Sequence, residues 1–182
     1  GVNAPPPTPR GLRNRRANAE GEALVARLNA GGGRFPPSPP LFLKLAPDLS
    51  NEELAEAGEA ALAGGIDAVI VSNTAIPQPP LGSHLAQGAG GLPGRPLFDL
   101  SPEKLAPLRL APGGRLPLIG AGGIESAETA WRKIEAGASL VQLYSGLVYE
   151  GPGLARRIVE GLDAEIRRRG LANISQAVGI VS

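Results

Sequence analysis

Four short apolar runs constrain this chain more than any other feature: residues 41–46 (LFLKLA), 68–72 (AVIVS), 116–120 (LPLIG) and 139–143 (SLVQL). Each is apolar almost without interruption rather than alternating, the pattern of a strand covered on both faces. A helical pattern follows each of them. After the first, PDLSNEELAEAGEAALAGG offers Ser50 as N-cap, Glu53 three residues on as in a capping box, and Gly64-Gly65 as the stop. After the second, a long Gly/Pro-rich stretch precedes a short helix near 101–108. The third leads into SAETAWRKIEAGA, with Ser126 as cap, Gly137 as stop, and Ala130, Ile134 and Trp131 as candidates for the inner face. In the fourth helix Leu154, Ile158, Leu162 and Ile166 recur every four residues.

Strand then helix, four times, is a parallel α/β architecture. Four βα units make half of an eight-fold barrel; an open sheet with helices on both faces is the alternative, and periodicity does not separate them. In both, ligands bind beyond the carboxyl ends of the strands. The four units occupy 41–182. Residues 1–40 form a Pro/Gly-rich segment with one helix candidate near 19–29, read as a remnant of a preceding barrel unit. Its basic cluster, Arg10, Arg13, Arg15 and Arg16, reads as a solvated face. The insertion from 73 to 100 is long enough to be functional or disordered.

Composition narrows the chemistry. A formal net charge of +1 leaves no electrostatic footprint for nucleic acid. The absence of cysteine removes disulfides, thiolate catalysis and thiolate metal sites, and a single histidine, His84, cannot make a multi-histidine metal centre; no metal site is expected. No apolar run reaches the ~18 residues that cross a bilayer. The chain has no methionine and opens on GVNAPPP, which suggests a fragment or a processed product.

The strand ends carry the candidates. Lys44 puts a charge inside an apolar run, either snorkelling from a strand edge or assigned a task. The second strand ends in Ser72-Asn73-Thr74, the third in Gly122-Gly123, and the fourth in Tyr144-Ser145-Gly146. The glycines of PLIGAGGI pose a question. They serve either a tight strand-to-helix turn or the close approach of an anion to bare backbone. In a barrel, the loops after the seventh and eighth strands commonly bind phosphate, which favours the second answer.

Together LFLKLAPDLS, GIDAVIVSNT, GAGGLPGRPLF and PLIGAGGIESAETAWRKIEAGASLVQLYSGLVYEGPGL resemble the quinone-dependent (class 2) dihydroorotate dehydrogenases, from Val2 to about Gly179. The resemblance covers the C-terminal half of that family's FMN-containing (β/α)8 TIM barrel. It implies oxidation of dihydroorotate to orotate in pyrimidine synthesis, through FMN to a membrane quinone. Lys44 then matches a lysine near the flavin, and Ser72 lies beside the ring. Gly94, Gly123, Tyr144 and Ser145 match FMN contacts, the last three around its phosphate. Asn73 and Thr74 match the pair that hydrogen-bonds orotate, and Asn3 matches an asparagine touching flavin and substrate. The family motif there reads Asn-Val-Ser-Ser-Pro-Asn-Thr, and its second serine is the general base. Laid on this chain, Pro6 occupies that position and Thr8 replaces the second asparagine, so no catalytic base is intact. Ala75 stands where a threonine is usual, and the lid chemistry near Pro93 is altered.

The resemblance thus implies a flavoprotein with impaired catalysis. A half-barrel that only binds FMN or phosphate, or self-associates through exposed edges, is the second expectation. The family is peripheral on the bacterial or mitochondrial inner membrane; a chain with no membrane segment is expected in the cytoplasm.

Overall fold

The computed structural model describes residues 2–3, 27, 39–47, 49–72, 94–98, 100–110 and 113–180. Five parallel strands form one sheet in the order of the chain: β1 (Val2–Asn3), β2 (Phe42–Leu45), β3 (Ala68–Val71), β4 (Leu118–Ala121) and β5 (Leu140–Gln142). The helices are α1 (Asn51–Ala63), α2 (Leu100–Leu110), α3 (Ala127–Glu135), α4 (Ser145–Glu150) and α5 (Gly153–Arg168), with 3₁₀ turns at Arg95–Leu97 and Ile174–Ala177. The helix candidate at 19–29 and the Arg10–Arg16 cluster lie outside the described residues, apart from Arg27, which is helical. Asn73, Thr74, Ala75, Pro93, Pro6 and Thr8 also lie outside them.

Register separates the barrel wall from the open sheet. Leu43 pairs with Val69 and Val69 with Leu118, while Lys44 pairs with Ile70 and Ile70 with Ile119. Paired residues share a face. The Leu43, Leu45, Val69, Val71 and Leu118 set packs with Leu54 and Ala61 of α1 and Leu105 and Leu108 of α2. Farther along the same face, Val141 packs against side chains of α3 and α5. Ala68, Ile70, Ile119 and Ala121, on the opposite face, cluster with Phe42 and, among the described residues, with no helix residue. Helices on one side of a sheet whose strands follow chain order are the wall of a barrel. A doubly wound sheet would reverse its strand order and carry helices on both faces.

Local chemistry makes the elements. Ser50 caps α1: its hydroxyl accepts from the Glu53 N–H at 3.2 Å while its own N–H donates to the Glu53 carboxylate at 2.8 Å. Ser126 caps α3 in the same way, with Thr129 in the reciprocal role. On α5, Leu154 and Ile158 are buried, and Leu162 and Ile166 are partly covered against α3 and the C-terminal turn. Gly161 lets α5 approach: a Cβ there would stand within van der Waals overlap of the Ala127 Cβ. Arg168 and Arg169 hydrogen-bond the Glu165 carboxylate and hold its pKa down to about 2, and Arg169 also reaches Glu135 of α3.

Two features differ from the sequence reading. β1 is a strand of two residues, too short to leave a periodic signature. β5 is not covered on both faces: Leu140 and Gln142 are exposed, because among the described residues no strand pairs with its outer edge.

Candidate functional site

The carboxyl ends of β2, β3, β4 and β5 surround one cavity of about 400 Å³. That lies within the ~300–1,000 Å³ typical of small-molecule sites. Six sequence-predicted residues line it: Lys44, Ser72, Gly94, Gly123, Tyr144 and Ser145. Topology assembles them, since each follows or ends a strand whose carboxyl end opens at the same rim. Lys44 shares the Ile70–Ile119 face, away from the helices, and Ser72 directly follows β3. Asn3 pairs in register with Lys44 and so lies level with it.

Ser72 is only 3% exposed, and its hydroxyl has no hydrogen-bond partner among the described residues. An unpaired buried hydroxyl costs roughly 1–3 kcal/mol, so this cavity wall offers a bond to an incoming polar group. Leu97, Ile124 and Leu143 add apolar wall. Two carboxylates also reach the rim, and each has an arginine: Glu125 pairs with Arg95 at 3.3 Å and Glu150 with Arg157 at 2.9 Å. A ligand at this rim therefore meets compensated carboxylates.

The glycines of PLIGAGGI answer to packing as well as to the cavity. A Cβ on Gly122 would lie 3.2 Å from the Leu97 Cβ. One on Gly123 would lie 2.5 Å from the Phe98 Cβ and 2.7 Å from its Cα, and both glycines have positive φ, +89° and +70°. The space a side chain would fill at these two positions belongs to the 94–98 turn, while the loop's other side faces the cavity. The loops are joined in turn. A Cβ on Gly94 would touch the Ser145 Cβ at 3.5 Å, and one on Gly146 would lie 2.7 Å from the Ile124 carbonyl oxygen. The 94–98 turn, the loop after β4 and the start of α4 thus form one packed rim.

Sequence reasoning missed the 95–98 turn and Lys133, a fully buried lysine beneath it. The signal existed: Lys133 follows Ala130 by three residues and precedes Ile134, which places it on the inner face of α3. Among the described residues, no group of three or more His, Asp or Glu side chains gathers as a metal centre would require. No helix of the described residues is long and apolar enough to cross a membrane.

The family model of dihydroorotate dehydrogenase matches residues 2–166. The chain is 49% identical to the dihydroorotate dehydrogenase (quinone) of Sphingopyxis alaskensis, over 98% of this chain and 50% of that protein. It is 46% identical to the protein of the same name from Novosphingobium aromaticivorans, again over 98% of this chain and 50% of the other. The chain spans about half the length of these relatives. In structure it resembles DHODH from Eimeria tenella in complex with ferulenol, with a TM-score of 0.73 and 38% identity, covering 79% of this chain and 38% of that one. The ligand-free form of that protein gives a TM-score of 0.72 at 39% identity.

Proposed function

The chain belongs to the dihydroorotate dehydrogenase family, and on that premise we propose that it supplies the phosphate-side half of an FMN site for oxidising dihydroorotate to orotate in pyrimidine synthesis. One observation carries the reading: the buried Ser72 hydroxyl, without a partner among the described residues, shares a cavity with Lys44 and a glycine-rich rim. The residues suit the group. Lys44 brings a cation to the ring end, where a reduced flavin is anionic, and Ser72 brings a hydrogen-bonding hydroxyl. Gly123, Tyr144 and Ser145 line the rim assigned to the phosphate, and Gly94 is a further FMN contact beside Ser145. When bound, FMN supplies the two-electron acceptor for the substrate and passes the electrons on to a quinone.

This chain's remaining tasks are binding and proton handling. Asn3, Asn73 and Thr74 are assigned to the substrate ring as hydrogen-bonding groups. The C5 proton is the weak point. The base position is held by Pro6, which has no group to accept it, so catalysis is impaired at that step. Quinone as acceptor implies that the family's full-length proteins work at a membrane surface.

FMN titrated with the chain should lose fluorescence as the ring enters the cavity. Ser72→Ala should weaken binding about 2–10-fold, the value of one ordinary hydrogen bond. Unquenched flavin at high protein concentration refutes the site.

A second reading, self-association, has its own support. Leu140 of β5, whose outer edge pairs with no described strand, and Tyr144, Val148 and Tyr149 after it are 61%, 82%, 71% and 87% exposed. Bare strand edges and apolar patches recruit partners. Sedimentation should find dimers or larger species, and Leu140→Glu should shift the distribution toward monomer. A monomeric parent chain rejects this reading.

A further inference from the structure

Lys133 has no part in the site described so far, yet it is the one charged side chain among the described residues that is fully buried, at 0% exposed. A buried ammonium needs close partners to offset its lost hydration. The Lys133 Nζ donates to the Phe98 carbonyl at 3.4 Å and stands 5.0 Å from the centre of the Phe98 ring. The Arg132 guanidinium lies over the same ring at 4.6 Å. Phe98 closes the Arg95–Leu97 turn, its N–H donating to the Arg95 carbonyl at 2.9 Å. Glycine makes the room. A Cβ on Gly120 would lie 3.1 Å from the Lys133 Cβ, and Gly123 accepts Phe98 only because it has no side chain. The far side of this turn carries Gly94 and Leu97 into the cavity wall, with Gly94 against Ser145.

We infer that Lys133 is a positioning residue for the cavity. Through Phe98 it fixes the 94–98 turn, and through the turn it sets Gly94 against Ser145 at the end assigned to phosphate. The inference rests on the FMN reading for the identity of the ligand, but not for the fastening of the turn. The competing account is that Leu97 and Phe98 hold the turn by apolar packing alone, with the lysine stem as filler.

Hydrogen exchange in the whole chain separates the two. Lys133→Met keeps an unbranched stem and removes the charge. The Leu97 and Phe98 amides should then exchange on the order of tenfold faster, with α5 unchanged, because only the local opening is eased. Lys133→Arg, which retains a cation, should restore most of the protection. The FMN dissociation constant should rise several-fold, ~10 at most, while that of riboflavin, which lacks the phosphate, moves less. Unchanged exchange at 94–98 overturns the inference. So does faster exchange with FMN affinity intact, or an equal rise in α5. If Lys133→Met does not fold, Phe98→Leu removes the ring from both cations and is read by the same rule. A parent chain that binds no FMN removes the functional reading, and the exchange result alone then decides the role of Lys133.

Discussion

Replacing Gly123 by alanine should lower the thermal unfolding midpoint by roughly 4–20 °C, at ~2–4 °C per kcal/mol for a chain of this size. Two costs combine. The φ of +70° is a left-handed conformation in which a Cβ costs about 1–2 kcal/mol. The Cβ would also sit 2.5 Å and 2.7 Å from the Phe98 Cβ and Cα. Backbone and Cβ cannot swing aside as a flexible side-chain tip can, and overpacking of this kind costs ~1–3 kcal/mol. Gly170→Ala is the control. Its φ is +66°, but nothing lies within 4 Å of the added Cβ, so it should show the conformational cost alone. Calorimetry of the two variants decides the matter. If both lose the same amount, the 94–98 turn does not press on Gly123. FMN binding should weaken in Gly123→Ala and not in Gly170→Ala, since only the first displaces the cavity rim.

The second large effect is a gain. A positioned general base is worth about 10²–10⁴ in rate, and Pro6 cannot provide one. With the complementary barrel half from a relative joined to this chain, Pro6→Ser should raise turnover of dihydroorotate by at least ~10²-fold over the Pro6 parent. Without that half, the same substitution should change nothing, because the remaining contacts to flavin and substrate are not assembled. Anaerobic bleaching of flavin absorbance on adding dihydroorotate measures both cases. A Pro6 parent that turns over as fast as its serine variant would show that another group takes the proton. Thr8, at the position where the resemblance implies a substrate-binding asparagine, should leave the Michaelis constant of the serine variant elevated.

Much of this architecture was legible in the residues because its determinants are local. A continuous apolar run such as AVIV marks a strand fit for cover on both faces, and β3 has it. Ser50 and Ser126 announce their helices through bonds to residues three positions away. The recurrence from Leu154 to Ile166 marks one face of α5. The cavity residues were also legible, as polar or glycine-rich strand ends next to a family likeness.

What stayed hidden depends on which distant residues meet. Periodicity says that a face is buried, not against what, so barrel wall and open sheet were equivalent until the register placed α1, α2, α3 and α5 on one side. The exposed face of β5 goes with an outer edge that no described strand pairs, which no pattern within the strand can report. Gly123 meets Phe98, and Lys133 meets the carbonyl of a residue 35 positions earlier. Backbone propensity and hydrophobic period act over a few residues and are written along the chain. The reason for a particular glycine, or for a charge in a core, lies in volume and hydrogen bonding between segments, and these exist only once the segments have packed.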